Sequence, residues 1–256
     1  MFKDQIFEDK VAFVTGGGSG IGFETARLFL SYGATVHIAS RKKERLQTAH
    51  KILSKLGPCY YRVCDIRNRD MVDSMLQSIE DKSGKLDFLI NNAGGQFPSI
   101  AEDISEKGWN AVINTNLNGT WNMTQQAAKK FFIPQKSGRI INIIVMIYKG
   151  FAGMAHTGAA RAGVDNLTKS LAVEWSRYNI RVNAIAPGII RSSGLANYPE
   201  ELVKAMSAKI PLKRMGEVEE VGNLILYLCS PMADFITGDT IYIDGGQRLW
   251  GDMFQL

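Results

Sequence analysis

The chain has 256 residues, a formal net charge of +5 and 45% hydrophobic residues. This length allows one large domain with a substantial core, and no linker or change of composition divides it, so we expect a single domain over residues 1–256. The charge is modest and spread along the chain, which does not favour a nucleic-acid partner. We expect no membrane partner, because no apolar run is long enough to span a bilayer and no N-terminal signal region is present. The three cysteines are too few for a disulfide scaffold and favour a reducing compartment, the cytoplasm.

A glycine-rich stretch, VAFVTGGGSGIG, occupies residues 11–22. Its apolar start is typical of a parallel strand covered on both faces, and a helix is expected over 23–32. A tight glycine turn that opens a helix presents free backbone N–H groups and the positive end of the helix dipole, and it has no side chains to keep a diphosphate away. The stretch therefore predicts a dinucleotide site, although its spacing differs from G-x-G-x-x-G and also fits an ordinary glycine-rich loop. The expected cofactor contacts here are Gly16, Gly18, Ser19, Gly20, Ile21 and Gly22.

The end of the second predicted strand, residues 34–39, indicates which nicotinamide cofactor is used. A site that prefers NAD places Asp or Glu there to accept a hydrogen bond from the ribose 2′-hydroxyl. This chain has Ser40, Arg41 and Lys42 instead, which favour a 2′-phosphate and hence NADPH. Arg41 is the first choice, because a guanidinium grips phosphate in a fork geometry that an ammonium lacks. The alternative is a basic turn that only faces solvent.

The rest of the chain alternates strands and helices, which predicts an α/β fold with a doubly wound parallel sheet. Further strands are expected over 60–64, 85–90, 139–144, 180–186 and 240–243, and helices over 68–82, 107–132, 157–178 and 217–228. The small residues of NNAG at 91–94 would let a ribose pass close to the backbone, with Asn91 pinning its strand to a neighbour, unless NNAG is simply a turn. Asparagines inside the 107–132 helix indicate that an amide is needed there. The irregular segment 189–212 is typical of a substrate lid.

Five motifs in order, TGGGSGIG, NNAG, NTNLNG, IRVNAIAPG and ITG…IDGG, resemble the short-chain dehydrogenase/reductase family from about Lys10 to Gly246. The resemblance implies a single Rossmann-type domain with a seven-stranded parallel sheet flanked by helices. It also implies NAD(P)-dependent hydride transfer and a homotetramer built by the two long central helices. It places Asn91 along the cofactor, Asp65 at the adenine and Ser192 at the nicotinamide amide. The further cofactor contacts it implies are Asp65, Ile66, Asn92, Ala93, Gly94, Arg161, Pro187, Gly188, Ile190 and Ser192.

The same resemblance exposes a gap in the catalytic set. The family carries an asparagine, a serine after the fifth strand and Tyr-x-x-x-Lys at the start of the next helix. Asn116 is present, but Ile144 and Val145 stand where the serine should be, and Thr157 and Arg161 replace the tyrosine and lysine. A threonine hydroxyl cannot give up its proton at neutral pH, whereas it can donate a hydrogen bond to an oxygen that becomes partly negative. The site is therefore better suited to reducing a conjugated double bond than a ketone.

A closer resemblance agrees with that inference. The runs NIIV and HTGAARAGV, with NLTKSLA after them, resemble the peroxisomal trans-2-enoyl-CoA reductase branch, whose relatives include the 2,4-dienoyl-CoA reductases. In that branch Ser or Thr is normal at the Thr157 position, and the dienoyl-CoA reductases take an acidic tyrosine from the loop after the fifth strand. The nearest tyrosine here, Tyr148, does not match that register, so it is a proton donor or a plain loop residue. His156 is the other titratable candidate, with a local hydrogen-bonding role at the helix start as the alternative. Lys149 is a candidate contact for an acyl-CoA phosphate.

The sequence thus predicts an NADPH-dependent reductase of enoyl-thioesters in fatty-acid metabolism, with coenzyme A or acyl carrier protein as the acyl carrier and no metal. One alternative is a 3-ketoacyl-thioester or other ketone reductase with a displaced catalytic tyrosine. Another is a catalytically silent NADPH-binding protein. The C-terminus lacks the usual peroxisomal tripeptide, which also favours the cytoplasm. The predicted catalytic residues are Asn116, Thr157, Arg161 and Tyr148.

Overall fold

A computed structural model describes residues 5–192 and 207–249. Its nine strands are β1 (Val11–Thr15), β2 (Thr35–Ser40), β3 (Cys59–Val63), β4 (Phe88–Asn91), β5 (Gly138–Ile143), β6 (Ile180–Pro187), β7 (Ile190–Arg191), β8 (Gly216–Glu217) and β9 (Thr240–Ile243). Seven of them form one parallel sheet in the order β3-β2-β1-β4-β5-β6-β9, and β7 pairs with β8 separately. The chain runs outward in opposite directions from β1 and β4, so a crevice opens between the carboxyl ends of these two strands.

Helices cover both faces of this sheet. They are α1 (Gly20–Ser31), α2 (Lys43–Leu53), α3 (Arg69–Ser83), α4 (Glu106–Ile113), α5 (Gly119–Ala127), α6 (Ile133–Gln135), α7 (Ala155–Trp175) and α8 (Val218–Cys229). Two π-helical segments, Asn114–Asn118 and Ala128–Phe132, join α4, α5 and α6 into one helical stretch. Single 3₁₀ turns occupy Ala101–Asp103, Ser176–Tyr178 and Pro231–Ala233.

The strand residues alternate between two hydrophobic cores. Ala12 and Val14 of β1 pack with residues of α1, α2 and α8, whereas Val11 and Phe13 pack with residues of α3, α5 and α7. This is the side-chain period of two that a strand imposes, and it explains why β1 is apolar at every position. Because helices cover both faces of the sheet, a ligand can approach the strands only at their ends, and in sheets of this kind it binds at the carboxyl ends.

The predicted α/β architecture and seven-stranded parallel sheet are confirmed, and the predicted strands lie within about three residues of their observed bounds. Helix α2, the two π-helical segments inside the predicted 107–132 helix and the short β7–β8 pair were not predicted. Of that pair, β7 lies in the segment where the lid was expected, and β8 lies just beyond it. The centre of that predicted lid, residues 193–206, lies outside the described residues. Within the part of the chain that the structure covers, no helix combines the length and the apolar character needed to cross a bilayer.

Candidate active site

The glycine turn between β1 and α1 is packed so tightly that side chains are excluded. Gly16 and Gly20 have φ of +70° and +56°, in the left-handed region that favours glycine. A methyl group on Gly16 would lie 2.7 Å from Nδ2 of Asn92, and one on Gly22 would lie 2.6 Å from the carbonyl oxygen of Gly16. Ser19 caps α1 with extended backbone and no side-chain hydrogen bond, so the first N–H groups of the helix stay available. This arrangement fits a bound diphosphate.

A cleft of about 460 Å³ runs from this turn across the carboxyl ends of β1 to β4. It brings together most of the predicted cofactor contacts: Gly16, Gly18, Ser19, Ser40, Arg41, Lys42, Asp65, Ile66, Asn92, Ala93 and Gly94. Four lining residues were missed by the sequence reasoning: Ala39, Arg45, Cys64 and Thr115. The remaining predicted contacts are not in this lining: Gly20, Ile21, Gly22, Arg161, Pro187, Gly188, Ile190 and Ser192. Ser192 nevertheless comes close, because a methyl group on Gly20 would lie 3.8 Å from its Cβ.

One end of the cleft is basic. Arg41, Lys42 and Arg45 are exposed and line it together, and none of them forms an ion pair with any residue in the described ranges. Arg45 arrives there because the first turn of α2 packs against the glycine turn, where a methyl group on Gly18 would lie 3.5 Å from Cβ of Arg45. Three unpaired cations around a small volume suit an anionic group such as a phosphate.

Asp65, which follows β3, is held as a carboxylate at the same cleft. Its two oxygens accept hydrogen bonds from the Arg67 guanidinium at 2.5–3.0 Å, and Oδ1 also accepts the Arg67 backbone N–H. These bonds lower the pKa of Asp65. Next to it, burial raises the pKa of the Cys64 thiol to about 11. The cleft wall therefore offers an ionised acceptor beside an uncharged thiol.

The NNAG turn after β4 is fixed by side-chain amides. Nδ2 of Asn91 donates to Thr124 Oγ1 at 2.8 Å and to Asn142 Oδ1 at 2.9 Å, so the strand is pinned to its neighbours as predicted. Asn91 thus lies inside the sheet, and Asn92 lies in the cleft wall. Nδ2 of Asn92 donates to the carbonyl oxygen of Thr15 at 2.9 Å, which ties the NNAG turn to the glycine turn.

Asn116 explains why an amide lies within a helix. It belongs to the first π-helical segment, it is fully buried, and its own carbonyl accepts the Thr120 hydroxyl at 2.9 Å. Both polar atoms of its side-chain amide bond to Gly95: Nδ2 donates to the Gly95 carbonyl at 2.8 Å, and Oδ1 accepts the Gly95 N–H at 3.0 Å. Asn116 therefore shapes the backbone beyond Gly94 from inside the helix, as π-helical insertions often do at functional sites.

Thr157 and Arg161 lie one turn apart on the same face of α7, and both are buried. The Arg161 guanidinium packs against the NNAG turn, where a methyl group on Gly94 would lie 2.2 Å from Nη2. It makes no hydrogen bond or ion pair with the described residues, and its Nε is buried without a partner. Burial lowers the pKa of Arg161 to about 10, so the group is still charged near neutral pH. A buried unpaired cation is costly, which points to a ligand rich in acceptor oxygens.

Next to Thr157 lies a second buried polar side chain, His156. The Thr157 N–H is shared between the Met154 carbonyl oxygen and Nδ1 of His156, both at 2.9 Å, and Thr157 Oγ1 lies 3.5 Å from the same nitrogen. The Phe97 ring packs on His156 with centroids 4.6 Å apart at 85°. Nε2 of His156 is buried without a partner among the residues described.

Tyr148, predicted as a proton donor, lies on the loop after β5 and is 64% exposed. Its ring contacts Tyr242 edge-on with centroids 6.2 Å apart, and it makes no hydrogen bond to Thr157 or Arg161. Ile144, which stands where the family has a serine, is buried and its N–H donates to the Ile185 carbonyl. Of the predicted catalytic residues, the structure therefore brings Thr157 and Arg161 together on α7.

Comparison with known proteins gives consistent matches over nearly the whole chain. A family profile described as Enoyl-(Acyl carrier protein) reductase matches residues 16–248. The 3-oxoacyl-[acyl-carrier-protein] reductase FabG of Thermotoga maritima is 39% identical over 242 residues, which are 93% of this chain and 98% of that protein. The peroxisomal 2,4-dienoyl-CoA reductase of Pongo abelii is 37% identical over 255 residues, which are 97% of this chain and 87% of that protein.

A solved structure agrees with these relatives. The crystal structure of a short chain dehydrogenase from Bacillus anthracis has a TM-score of 0.87 and 42% identity to this chain, covering 94% of this chain and 98% of that one. The matched fold, the glycine cradle at the sheet crevice and the identities to named reductases agree with one another, and the predicted dienoyl-CoA reductase branch is among the matches. The chain therefore belongs to the short-chain dehydrogenase/reductase family of oxidoreductases, which use a nicotinamide cofactor.

Proposed function

We propose that this protein is an NADPH-dependent reductase of enoyl-thioesters of the trans-2-enoyl-CoA or 2,4-dienoyl-CoA type, acting in fatty-acid metabolism. One observation carries the proposal: where the family has an acidic phenol and a lysine, this chain has the buried Thr157 and the buried, unpaired Arg161 on one face of α7. The name of the Pongo abelii relative supports the same substrate class. The acyl carrier is coenzyme A or an acyl carrier protein.

The preference for NADPH rests on the basic end of the cleft. Arg41, Lys42 and Arg45 line this end together, and none of them forms an ion pair within the described ranges, which leaves them available to a 2′-phosphate. The glycine turn would hold the diphosphate, and Arg161 would reach the ribose hydroxyls beside Gly94. When bound, the reduced nicotinamide supplies hydride to the substrate.

The chemistry of Thr157 suits the double bond. Hydride added to the β-carbon of an enoyl-thioester turns the carbonyl oxygen into an enolate oxygen, which needs hydrogen bonds but not a proton. The Thr157 hydroxyl can donate such a bond, and the charged Arg161 one turn away favours negative charge nearby. Asn116 keeps the opposite wall in place through Gly95. The proton that completes the reaction goes to the α-carbon from a separate donor, for which Tyr148 is the proposed candidate.

A 3-ketoacyl-thioester reductase is the second candidate, favoured by the similarity to the Thermotoga maritima enzyme. Ketone reduction requires an acid at the carbonyl oxygen, because the alkoxide that forms must be protonated there. For this function Tyr148 would have to leave Tyr242 and reach the α7 site, which is formed by His156, Thr157 and Arg161.

The deciding experiment offers purified protein NADPH or NADH with a trans-2-enoyl-CoA, a 2,4-dienoyl-CoA and a 3-ketoacyl-CoA, and follows cofactor absorbance. We expect NADPH oxidation with at least one unsaturated thioester and little with the ketone. Oxidation with the ketone alone would overturn the proposal, and loss of that activity in Tyr148→Phe would then support the second candidate. Cofactor binding without turnover of any of these substrates would indicate the catalytically silent alternative.

We also propose a homotetramer in the cytoplasm. The helical stretch that begins with α4 packs on α7, and both leave large apolar side chains exposed: Trp109 is 40% and Val173 is 77% exposed. Such side chains suit a surface that pairs with a second copy. The cysteines are buried free thiols, in keeping with a reducing compartment. Sedimentation of the purified protein tests the assembly, and a monomer at micromolar concentration would contradict it.

A further inference from the structure

Arg67 is an ion-paired arginine next to the cofactor cleft to which the proposed function gives no role. It lies in the turn that joins β3 to α3, where the Asn68 N–H donates to the Asp65 carbonyl oxygen at 2.9 Å. A neighbouring helix holds the same turn, because Nδ2 of Asn122 donates to the Ile66 carbonyl oxygen at 3.2 Å. The backbone that carries Asp65 and Arg67 is therefore fixed from two sides.

Asp65 is the one acidic side chain among the described residues that line the cofactor cleft. Ser40, at the end of β2, pairs with Val63, at the end of β3. The Cys64 N–H extends this ladder by donating to the Ser40 carbonyl oxygen at 3.0 Å. Arg41 and Asp65 directly follow these bonded residues, so they reach the cleft as neighbours. An uncompensated carboxylate at this position would attract Arg41 and repel a bound phosphate.

Arg67 compensates the charge of this carboxylate. Its Nε and Nη2 donate to the two oxygens of Asp65 at 2.5–3.0 Å, and only 39% of the Arg67 side chain and 23% of the Asp65 side chain are exposed. These hydrogen bonds are the main reason that the pKa of Asp65 is low, and the charge of Arg41 makes a smaller contribution in the same direction. Asp65 thus pairs with Arg67, although Arg41 is also within electrostatic reach.

We infer that Arg67 is a positioning residue that sets the cofactor preference: by holding Asp65 in a bidentate ion pair, it keeps Arg41 free for the 2′-phosphate of NADPH. This inference rests on the NADPH preference in the proposed function. The pair prevents Asp65 from engaging the Arg41 guanidinium, and it offsets the negative charge that would repel the phosphate. NADH has a hydroxyl in place of this phosphate, so it gains little from either effect.

The test compares adenosine 2′,5′-bisphosphate with adenosine 5′-monophosphate, two nucleotides that differ only in the 2′-phosphate. Calorimetry at low ionic strength gives the ratio of their dissociation constants without any turnover. In Arg67→Met we expect this ratio to change about 5-fold against the bisphosphate, and the change to shrink at about 0.5 M salt. If Arg67 only stabilised its turn, both nucleotides would lose affinity alike.

Matched variants separate the charge of Arg67 from its shape. Arg69→Met removes a nearby cation whose Nη2 donates to Gln125 instead of Asp65, and we expect it to keep the wild-type ratio. Arg67→Lys retains the positive charge and should keep most of the preference. A double variant, Asp65→Asn with Arg67→Met, removes both charges of the pair and should restore the wild-type ratio.

The same measurements can overturn the inference. A wild-type preference for the bisphosphate that Arg67→Met leaves unchanged would overturn it alone, as would an equal change in Arg69→Met or a double variant as poor as Arg67→Met. A wild-type protein without that preference would contradict the proposed use of NADPH and this inference together. Melting temperatures serve as the folding control. If Arg67→Met does not fold, Asp65→Asn alone decides, because it frees the Arg67 charge and should shift the ratio toward the bisphosphate.

Discussion

The cofactor cleft and the α7 site differ in whether their buried polar atoms have hydrogen-bond partners within the protein. Around the glycine and NNAG turns, the polar groups bond within the protein: Asn91 donates to Thr124, and Asn92 donates to Thr15. On α7, Arg161 and His156 are buried with nitrogens that have no partner in the described structure. The buried part of the first region is complete as a protein structure, and it leaves the exposed cations Arg41, Lys42 and Arg45 and the N–H groups at the start of α1 open to a ligand. The second region is incomplete by the rules of buried polar groups, so its ligand must supply the missing acceptors.

Replacing Thr157 by Val tests the α7 region and should have the largest effect. Valine keeps the shape and removes the hydroxyl, so we expect kcat for an unsaturated thioester to fall by about 10²–10³, the usual cost of one donor to a developing oxyanion. Thr157→Ser, which keeps the hydroxyl, is the matched control and should retain most activity. Steady-state kinetics with saturating NADPH measure both, and full activity in Thr157→Val would remove the mechanistic basis of the proposed function.

The contact between the two regions is tested at Gly94. A Cβ there would lie 2.2 Å from Nη2 of Arg161 and 2.8 Å from Oδ1 of Asn116, so Gly94→Ala must displace one of them. We expect kcat/KM to fall about 10²-fold, since small displacements of positioned groups have effects of that size. Gly95→Ala is the control, because a Cβ on Gly95 meets no atom within 4 Å. Equal activity of the two variants would show that the NNAG turn does not constrain Arg161.

The cleft could be predicted from sequence to a greater depth than α7, for a physical reason. The turn that would hold the diphosphate consists of backbone and glycines. A glycine there indicates a close backbone approach, as the structure shows at Gly16 and Gly22. Arg45 was missed because α2 was missed, although buried Leu46, Ala49 and Leu53 follow a helical spacing that predicts it. The role of Asn116 depends on a π-helical segment that no residue type announces. The absence of partners for the buried nitrogens of His156 and Arg161 depends on which residues pack around them in the tertiary structure, so the sequence does not show it.

The basic end of the cleft is expected to decide between cofactors, with a smaller effect. Arg41→Ala and Arg45→Ala should each raise KM for NADPH by about 10-fold, because each removes a charge-assisted bond to phosphate, and leave KM for NADH unchanged. Lys43→Ala is the control, since Lys43 starts α2 next to these residues but is not part of the cleft lining. A rise in KM for both cofactors alike would mean that these arginines do not contact the 2′-phosphate.

The smallest expected effect is the uptake of a fraction of a proton when NADP⁺ binds. It tests whether the ligand supplies hydrogen-bond acceptors to Arg161 in the α7 site. Burial lowers the pKa of Arg161 to about 10, below the ordinary value for a guanidinium. Acceptor oxygens from the cofactor ribose would favour the charged form and raise this pKa again. Binding of NADP⁺ near pH 10 should therefore take up protons, and its affinity should fall as the pH rises above about 10.

Calorimetry at pH 10 in buffers of different ionisation enthalpy measures that uptake. Arg161→Met provides the control, because it removes the titrating group while leaving the surface lysines, which titrate in the same range. Equal uptake in wild type and Arg161→Met would show that the bound cofactor does not reach Arg161. The unpaired guanidinium would then find its acceptor on the acyl-CoA instead, and the same titration with an acyl-CoA added to the NADP⁺ complex would show the uptake in that step.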